Sequence, residues 1–424
     1  MTEIEELQHR AEQGNAAAQF NLGIRFATGK DVEQNFEQAF YWYKKSAEQG
    51  NASAQYNLGH YYEEGKGVEQ DLIRAFVWYT RSAEQGYARA QVNLGYFYGM
   101  GKGVARDYAK ALVWYEKAAE QNVPQAQYNL GLFYSTGRGV TQDYTKAVEW
   151  YKKAAEQGNA KAQLELGYCC ENGKGIEQDY KAAAEWYQKS ADQGNAEAQL
   201  NLGYHYEYGK GLDRDEQRAA YWYSKAAEQG NAEAQRHLAA CYENGVGIEA
   251  DEKRAVYWYL KSAEQGNLMA QYRLGTCYEL GKGVPPDSRS AVYWYTKAAE
   301  QGDVESQFSL GNCYFYGDGV DRDYKLAAYW FSKAAEKGDA EAQYNLGVCY
   351  FRGTGVDKDL AKAFYWYKQS AENNYPDAMY NLGYCYVNGF GTAQDYFAAK
   401  TWFVRAAEHG VEDADDWLKA LKKL

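Results

Sequence analysis

Apolar residues recur along this chain with the period of an α-helix, and glycines interrupt them at regular intervals. In the segment 195–230, Ala198, Leu202 and Tyr206 stand at i, i+4 and i+8, a single stripe on one helix face. Asn195 precedes the stripe and can accept from the free amides of the first turn. Gly209 follows it, where a left-handed residue ends a helix at little cost. Asp215 is placed to cap a second helix whose buried face reads Ala219, Trp222, Tyr223, Ala226 and Ala227, and Gly230 stops that helix. Gly203 lies beside the first stripe, where a missing Cβ lets the partner helix come close. The segment predicts a helical hairpin, and a hairpin this small cannot bury its two stripes alone.

Its neighbours repeat it. The pair Leu-Gly returns every 36 residues from Leu22-Gly23 to Leu382-Gly383, with Leu238-Ala239 as the one variant. Eleven units follow without insertion: 15–50, 51–86, 87–122, 123–158, 159–194, 195–230, 231–266, 267–302, 303–338, 339–374 and 375–410. Each contains one tryptophan at the same place, and Trp417 in the tail completes the 12. Residues 1–14 end in Ala11-Glu12-Gln13-Gly14, like the close of a second helix, and 411–424 carry Ala414 and Leu418, like the stripe of a first. Both read as half-repeat capping helices, with Asp415, Asp416, Lys419, Lys422 and Lys423 giving the last one a wet outer face. The outermost repeats depart most from the pattern: Asp31 replaces the second loop glycine, Asn35 the capping Asp, Met379 a Gln and Thr392 an aliphatic residue. The expected fold is all-α, an α/α solenoid of stacked hairpins.

The consensus Ala-x-Ala-Gln-Tyr-Asn-Leu-Gly-x-x-Tyr-x-x-Gly-x-Gly-Val-x-x-Asp-x-x-x-Ala-x-x-Trp-Tyr-x-Lys-Ala-Ala-Glu-Gln-Gly stands nearly verbatim in 339–374. It resembles the Sel1-like repeat, a relative of the tetratricopeptide repeat, over essentially the whole chain. That resemblance implies a right-handed superhelix serving as an adaptor or scaffold for protein complexes, with no catalytic residue to carry over.

In related hairpin solenoids the first helices line a concave groove. At 100° per residue, the side of the first helix opposite its stripe holds the third, sixth, tenth, thirteenth and fourteenth repeat positions. The sixth and tenth supply Phe20, Tyr56, Tyr96, Tyr128, Tyr168, Tyr204, Tyr272, Phe308, Tyr344, Tyr380 and Tyr384. The next pair supplies Glu171, Glu207, Tyr208, Glu243, Asn244, Glu279, Phe315, Tyr316, Phe351 and Arg352. These residues predict a groove for a protein or peptide partner with basic and apolar residues, its centre acidic through Glu207, Glu233, Glu243 and Glu279. The alternative is that the rings pack against neighbouring repeats and the acids only solvate the surface. An asparagine ladder, with Asn57, Asn93, Asn129 and Asn201 among its members, offers contacts to a ligand backbone or terminal carboxylate, or bridges between adjacent helices; its place at the edge of the buried arc favours bridging.

Composition narrows the remaining choices. With 46 basic and 58 acidic side chains the formal charge is −12 and no basic cluster is present, which argues against nucleic acid. No apolar run approaches a membrane span. The start carries no apolar leader, so the expected compartment is the cytoplasm. Six of the seven cysteines share one repeat position, separated by whole repeats and therefore too far apart for disulfides. His205 shares that position with Cys169 and Cys241, yet ligands a repeat apart would struggle to meet at one zinc ion, so no metal or other cofactor is expected. The recurring Gly-Lys-Gly, as in Gly101-Lys102-Gly103, lacks the order and preceding strand of a phosphate loop. No Ser is followed by Lys three residues on, which removes the β-lactamase-type nucleophile. The expected function is a non-enzymatic adaptor. An engineered or purely structural array is the next reading, and an accessory to cell-envelope enzymes, or a hydrolase, the third.

Overall fold

A computed structural model describes residues 2–421, so Lys422 and Lys423 of the expected wet face lie outside the described residues. Among the described residues there are 24 α-helices and no strand. Eleven pairs of 13-residue helices are flanked by the short helices Glu3–Glu12 and Asp413–Leu421. The chain divides into two compact units, Met1–Arg214 and Asp215–Leu424.

The repeat 159–194 shows how each hairpin forms. Asn159 accepts from the Ala162 amide to start Ala160–Asn172, and Asp179 accepts from Lys181 and Ala182 to start Tyr180–Asp192. Gly173 closes the first helix in the left-handed region at φ 65°. The departures are not confined to the outermost repeats. Tyr87, Val123 and Tyr375 hold the first-helix cap position without a side-chain hydrogen bond, and after two of them Pro124 and Pro376 start the helix instead.

The two helices of a hairpin meet on an aromatic ring. Tyr187 is fully buried, and a Cβ added to Gly167 would fall 2.7 Å from its ring carbons. The tryptophan expected beside it on the buried face is a different case: Trp222 is only half buried, its edge against Tyr221. Elsewhere this tryptophan packs on the core that its repeat shares with the one before, as Trp150 does against the cluster containing Ala118 and Leu130.

Glycine at the second loop position answers to the neighbouring repeat. Gly175 stands at φ +70°, and any Cβ there would collide with the backbone carbonyl of Tyr144, the first residue of the preceding second helix. The first repeat has only the short helix Glu3–Glu12 before it. Asp31 occupies the slot there at φ 63° and pairs with Arg25, which also holds Glu3 at 2.9 Å.

A buried polar spine, unanticipated from the sequence, ties repeat to repeat. Gln55 donates to the Ala47 carbonyl of the previous repeat at 3.1 Å, and Gln85 donates to the Gln55 carbonyl oxygen at 2.7 Å. Ser82 adds a bond to the Ala52 carbonyl at 2.7 Å. Gln271, Ala263 and Gln301 repeat the arrangement in the second unit. The repeat 303–338 breaks it: Lys337 stands where Gln is usual and donates to Gly302 instead, and the buried Gln307 oxygen is left without a partner. In the same repeat Ser306 replaces the usual Ala, and its buried hydroxyl is also unpaired.

Unpaired buried polar atoms cost about 1–3 kcal/mol each. Lys337→Gln and Ser306→Ala should therefore each raise stability by about 1 kcal/mol in urea unfolding; a loss from Lys337→Gln would show that the spine contributes nothing there. Gly175→Ala should destabilise by more than about 1 kcal/mol, since it adds both backbone strain and a collision.

Candidate functional site

The sequence-predicted groove residues fall into two groups. The sixth-position rings pack inward on the hairpin's own buried aromatic: Tyr272 on Tyr295 at 6.1 Å, Phe308 on Phe331 at 6.0 Å, Tyr344 on Tyr367 at 6.0 Å and Tyr380 on Phe403 at 5.7 Å. Trp417 of the last helix donates to the Tyr380 hydroxyl at 3.2 Å and lies 5.9 Å from Tyr384. Phe351 contacts Tyr367 and Phe390 at 6.4 and 5.8 Å, and Phe315 contacts Phe331 at 6.2 Å. These rings are half-buried parts of the packing.

The acids at the thirteenth position also have an internal duty. Glu171 accepts from the Tyr187 hydroxyl at 2.8 Å, Glu243 from Tyr259 at 2.7 Å and Glu279 from Tyr295 at 2.6 Å. Each bond satisfies the one polar atom of a buried phenol. Asn244 bonds back to the Ala240 carbonyl of its own helix at 2.9 Å. The asparagines bridge in part: Asn57 and Asn129 lie beside the phenols of Tyr43 and Tyr115 in the preceding repeats and oppose the burial that pushes both phenols upward.

What stays open is the second group: Tyr168, Tyr208, Tyr316 and Arg352 are exposed. Tyr168 is bonded and capped by Lys174, whose ammonium donates to its hydroxyl at 2.8 Å and lies 4.7 Å from the ring centre. Tyr316 borders a shallow notch with Phe315, Asn312 and Asn345. Tyr208 is 59% exposed and stacks on Tyr204 at 6.3 Å and 21°.

Glu171, Asn201, Tyr204, Tyr208 and Lys210 together line a recess of about 380 Å³ in the first unit. Half-buried Glu207 follows on the same helix. The lysine comes from the Gly-Lys-Gly loop, whose role the sequence reading left unassigned. It reaches back 3.7 Å to Glu171 of the preceding repeat, as Lys102 does to Glu63 at 3.5 Å. The recurrence of Lys between two glycines was the available signal. Behind the recess lies His205, 1% exposed. Its Nδ1 is 2.7 Å from the Lys210 carbonyl, an acceptor only, so Nδ1 carries a proton. Its Nε2 faces Glu171 at 3.6 Å. His205, the Tyr187 hydroxyl and Lys210 outweigh burial and hold the Glu171 carboxyl below the usual range.

No helix among the described residues is long and apolar enough to cross a membrane. The sequence model of the Sel1 repeat matches eleven consecutive segments, from 16–51 to 376–411, one residue later in phase than the units read from the pattern. Among solved structures, c5321, a protective antigen present in uropathogenic Escherichia coli strains and displaying an SLR fold, is 40% identical, with 100% of this chain and 91% of that one covered at a TM-score of 0.87. A Sel1 repeat protein from Oxalobacter formigenes is 36% identical over 74% of this chain and 90% of its own, at a TM-score of 0.57. No curated protein matches the chain.

A carboxyl depressed in the folded state stabilises above its unfolded value, near 4.3, and loses that contribution as pH falls through the lower folded value. The stability difference between the native chain and Glu171→Gln should therefore shrink as pH falls below about 4. A difference independent of pH would remove Glu171 from the cluster's electrostatics.

Proposed function

Because the chain belongs to the Sel1 repeat family, whose members generally mediate protein–protein interaction, we propose that it is an adaptor and that the recess beside Tyr208 takes a peptide segment of its partner. The observation that carries this reading is a pair of stacked phenols, one of them largely open, at a recess containing a carboxylate. Rigid tyrosines bring large contact area at low entropic cost, which is why they concentrate in binding hot spots. An apolar peptide side chain would lie on Tyr208 and Tyr204, and a basic neighbour would meet Glu207 and the rim of Glu171. The protein acts by binding, without catalysis, on a scaffold that is typically non-enzymatic. Its proposed setting is the cytoplasm, where its seven buried free cysteines would stay reduced.

Panning a random peptide display library on the purified full chain tests this. Selected peptides should pair an apolar residue with Lys or Arg. Tyr208→Ala should weaken their binding about tenfold or more with no change in melting temperature, because the ring is mostly solvent-facing. Undiminished binding by a folded Tyr204→Ala, Tyr208→Ala double variant would reject the recess.

A further inference from the structure

Five of the six second helices of the second unit carry a feature that packing does not require, and Tyr41 of the first repeat shares it. Tyr221, Tyr257, Tyr293, Tyr329 and Tyr365 occupy the same repeat position, and all are 50–54% exposed. Each ring meets the following tryptophan edge-on at 4.9–5.0 Å, which fixes its pose. The repeats 51–86, 87–122, 123–158 and 159–194 place Val77, Val113, Glu149 and Glu185 there and form the same hairpin. The fold therefore does not need the tyrosines. Five half-open rings in one ladder amount to several hundred Å² of aromatic surface, more than an idle face usually leaves in water.

The polar residues around each ring have an order. A cation stands three or four residues before the tyrosine (Arg218, Arg254, Arg289, Lys325, Lys362), a lysine four after it in four rungs, and a glutamate seven after it in all five. In the 231–266 rung these are Arg254, Tyr257, Lys261 and Glu264, all exposed and, at helical spacing, on one face. The lysines sit 5.5–5.9 Å from the ring centres. The sequence cation–tyrosine–lysine–acid is self-complementary when reversed. Its midpoint lies between tyrosine and lysine, so an antiparallel copy sets acid against cation and lysine against tyrosine at both ends.

We propose that this ladder is a homodimer interface whose occupant is a second copy of this chain. A two-fold axis along the ladder, between the tyrosine and lysine rows, sets each rung antiparallel to its own copy. Every rung then gains two ion pairs, and the four rungs that carry the lysine also gain two cation–π contacts, as an isologous interface requires. The periodicity favours this occupant. Five equal rungs at equal spacing are matched in register by a surface of the same period, which a second copy has by construction. Four rungs carry two cations to one acid, and in the dimer the second cation, the lysine, is taken by the facing tyrosine.

Sedimentation velocity on the full chain from about 1 to 100 µM, in 0.15 M salt where long-range repulsion is screened, is the test. A dimer is expected, and Tyr257→Glu with Tyr293→Glu and Tyr329→Glu should raise its dissociation constant at least 100-fold with unchanged circular dichroism. Two charge variants give a check independent of the rings. Glu264→Arg with Glu300→Arg, and Arg254→Glu with Arg289→Glu, should each be monomeric alone and should form a heterodimer when mixed. A native chain that stays monomeric at 100 µM overturns the proposal. So does a dimer indifferent to the tyrosine changes, or a mixture that fails to associate.

Discussion

A buried aromatic ring laid against a glycine is the contact on which the hairpins depend, in every repeat but 231–266, where Ala239 takes the glycine's place. Tyr187 fills the space that a Cβ on Gly167 would take, and Phe331 does the same beside Gly311. Bringing two helices that close buries a large ring, and with Tyr it also buries a hydroxyl that must find an acceptor. In four repeats the acceptor is the thirteenth-position acid of the same repeat, Glu63, Glu171, Glu243 or Glu279, and in another Tyr151 meets the Ser135 hydroxyl at that position. Where the ring is Phe331 or Phe403, that position holds Phe315 or Val387, and no acceptor is needed. Ring and acid thus form one unit, and the carboxylates at the recess are placed by packing before any ligand arrives.

Stacking between repeats depends on more than apolar burial. The glutamine spine joins the side chain of one repeat to a backbone carbonyl of the last, and the loop lysine reaches an acid across the same junction. These bonds are directional, so they fix the offset between hairpins in a way that apolar contact does not. They are also costly to leave incomplete in a low-dielectric core, which makes the 303–338 repeat a weak point within its unit. The recess is a by-product of this junction. Its lysine and its acid belong to adjacent repeats, and His205 closes it from behind through the Lys210 carbonyl.

The sequence by itself determined the helical hairpin, its length, its caps and its eleven-fold repetition, because helix phase and end chemistry are local. Asn159, Asp179 and Gly173 act where they stand, whatever packs above them. The family followed from the same local signals in register. Only the tertiary structure decided which polar groups are used internally and which remain for a partner. Glu171 reads as a surface acid of the groove until its bond from the buried ring of Tyr187, 16 residues away, is seen. Gln55 reads as a surface residue until its bond to Ala47 in the repeat before is seen. Tyr223 and Tyr221 are two residues apart, one fully buried and the other half in water. A pattern along one helix gives the direction of each side chain, but its burial and its partner depend on how closely the next helix approaches, and that distance is set across 16 to 36 residues by the ring, the glycine and the spine together.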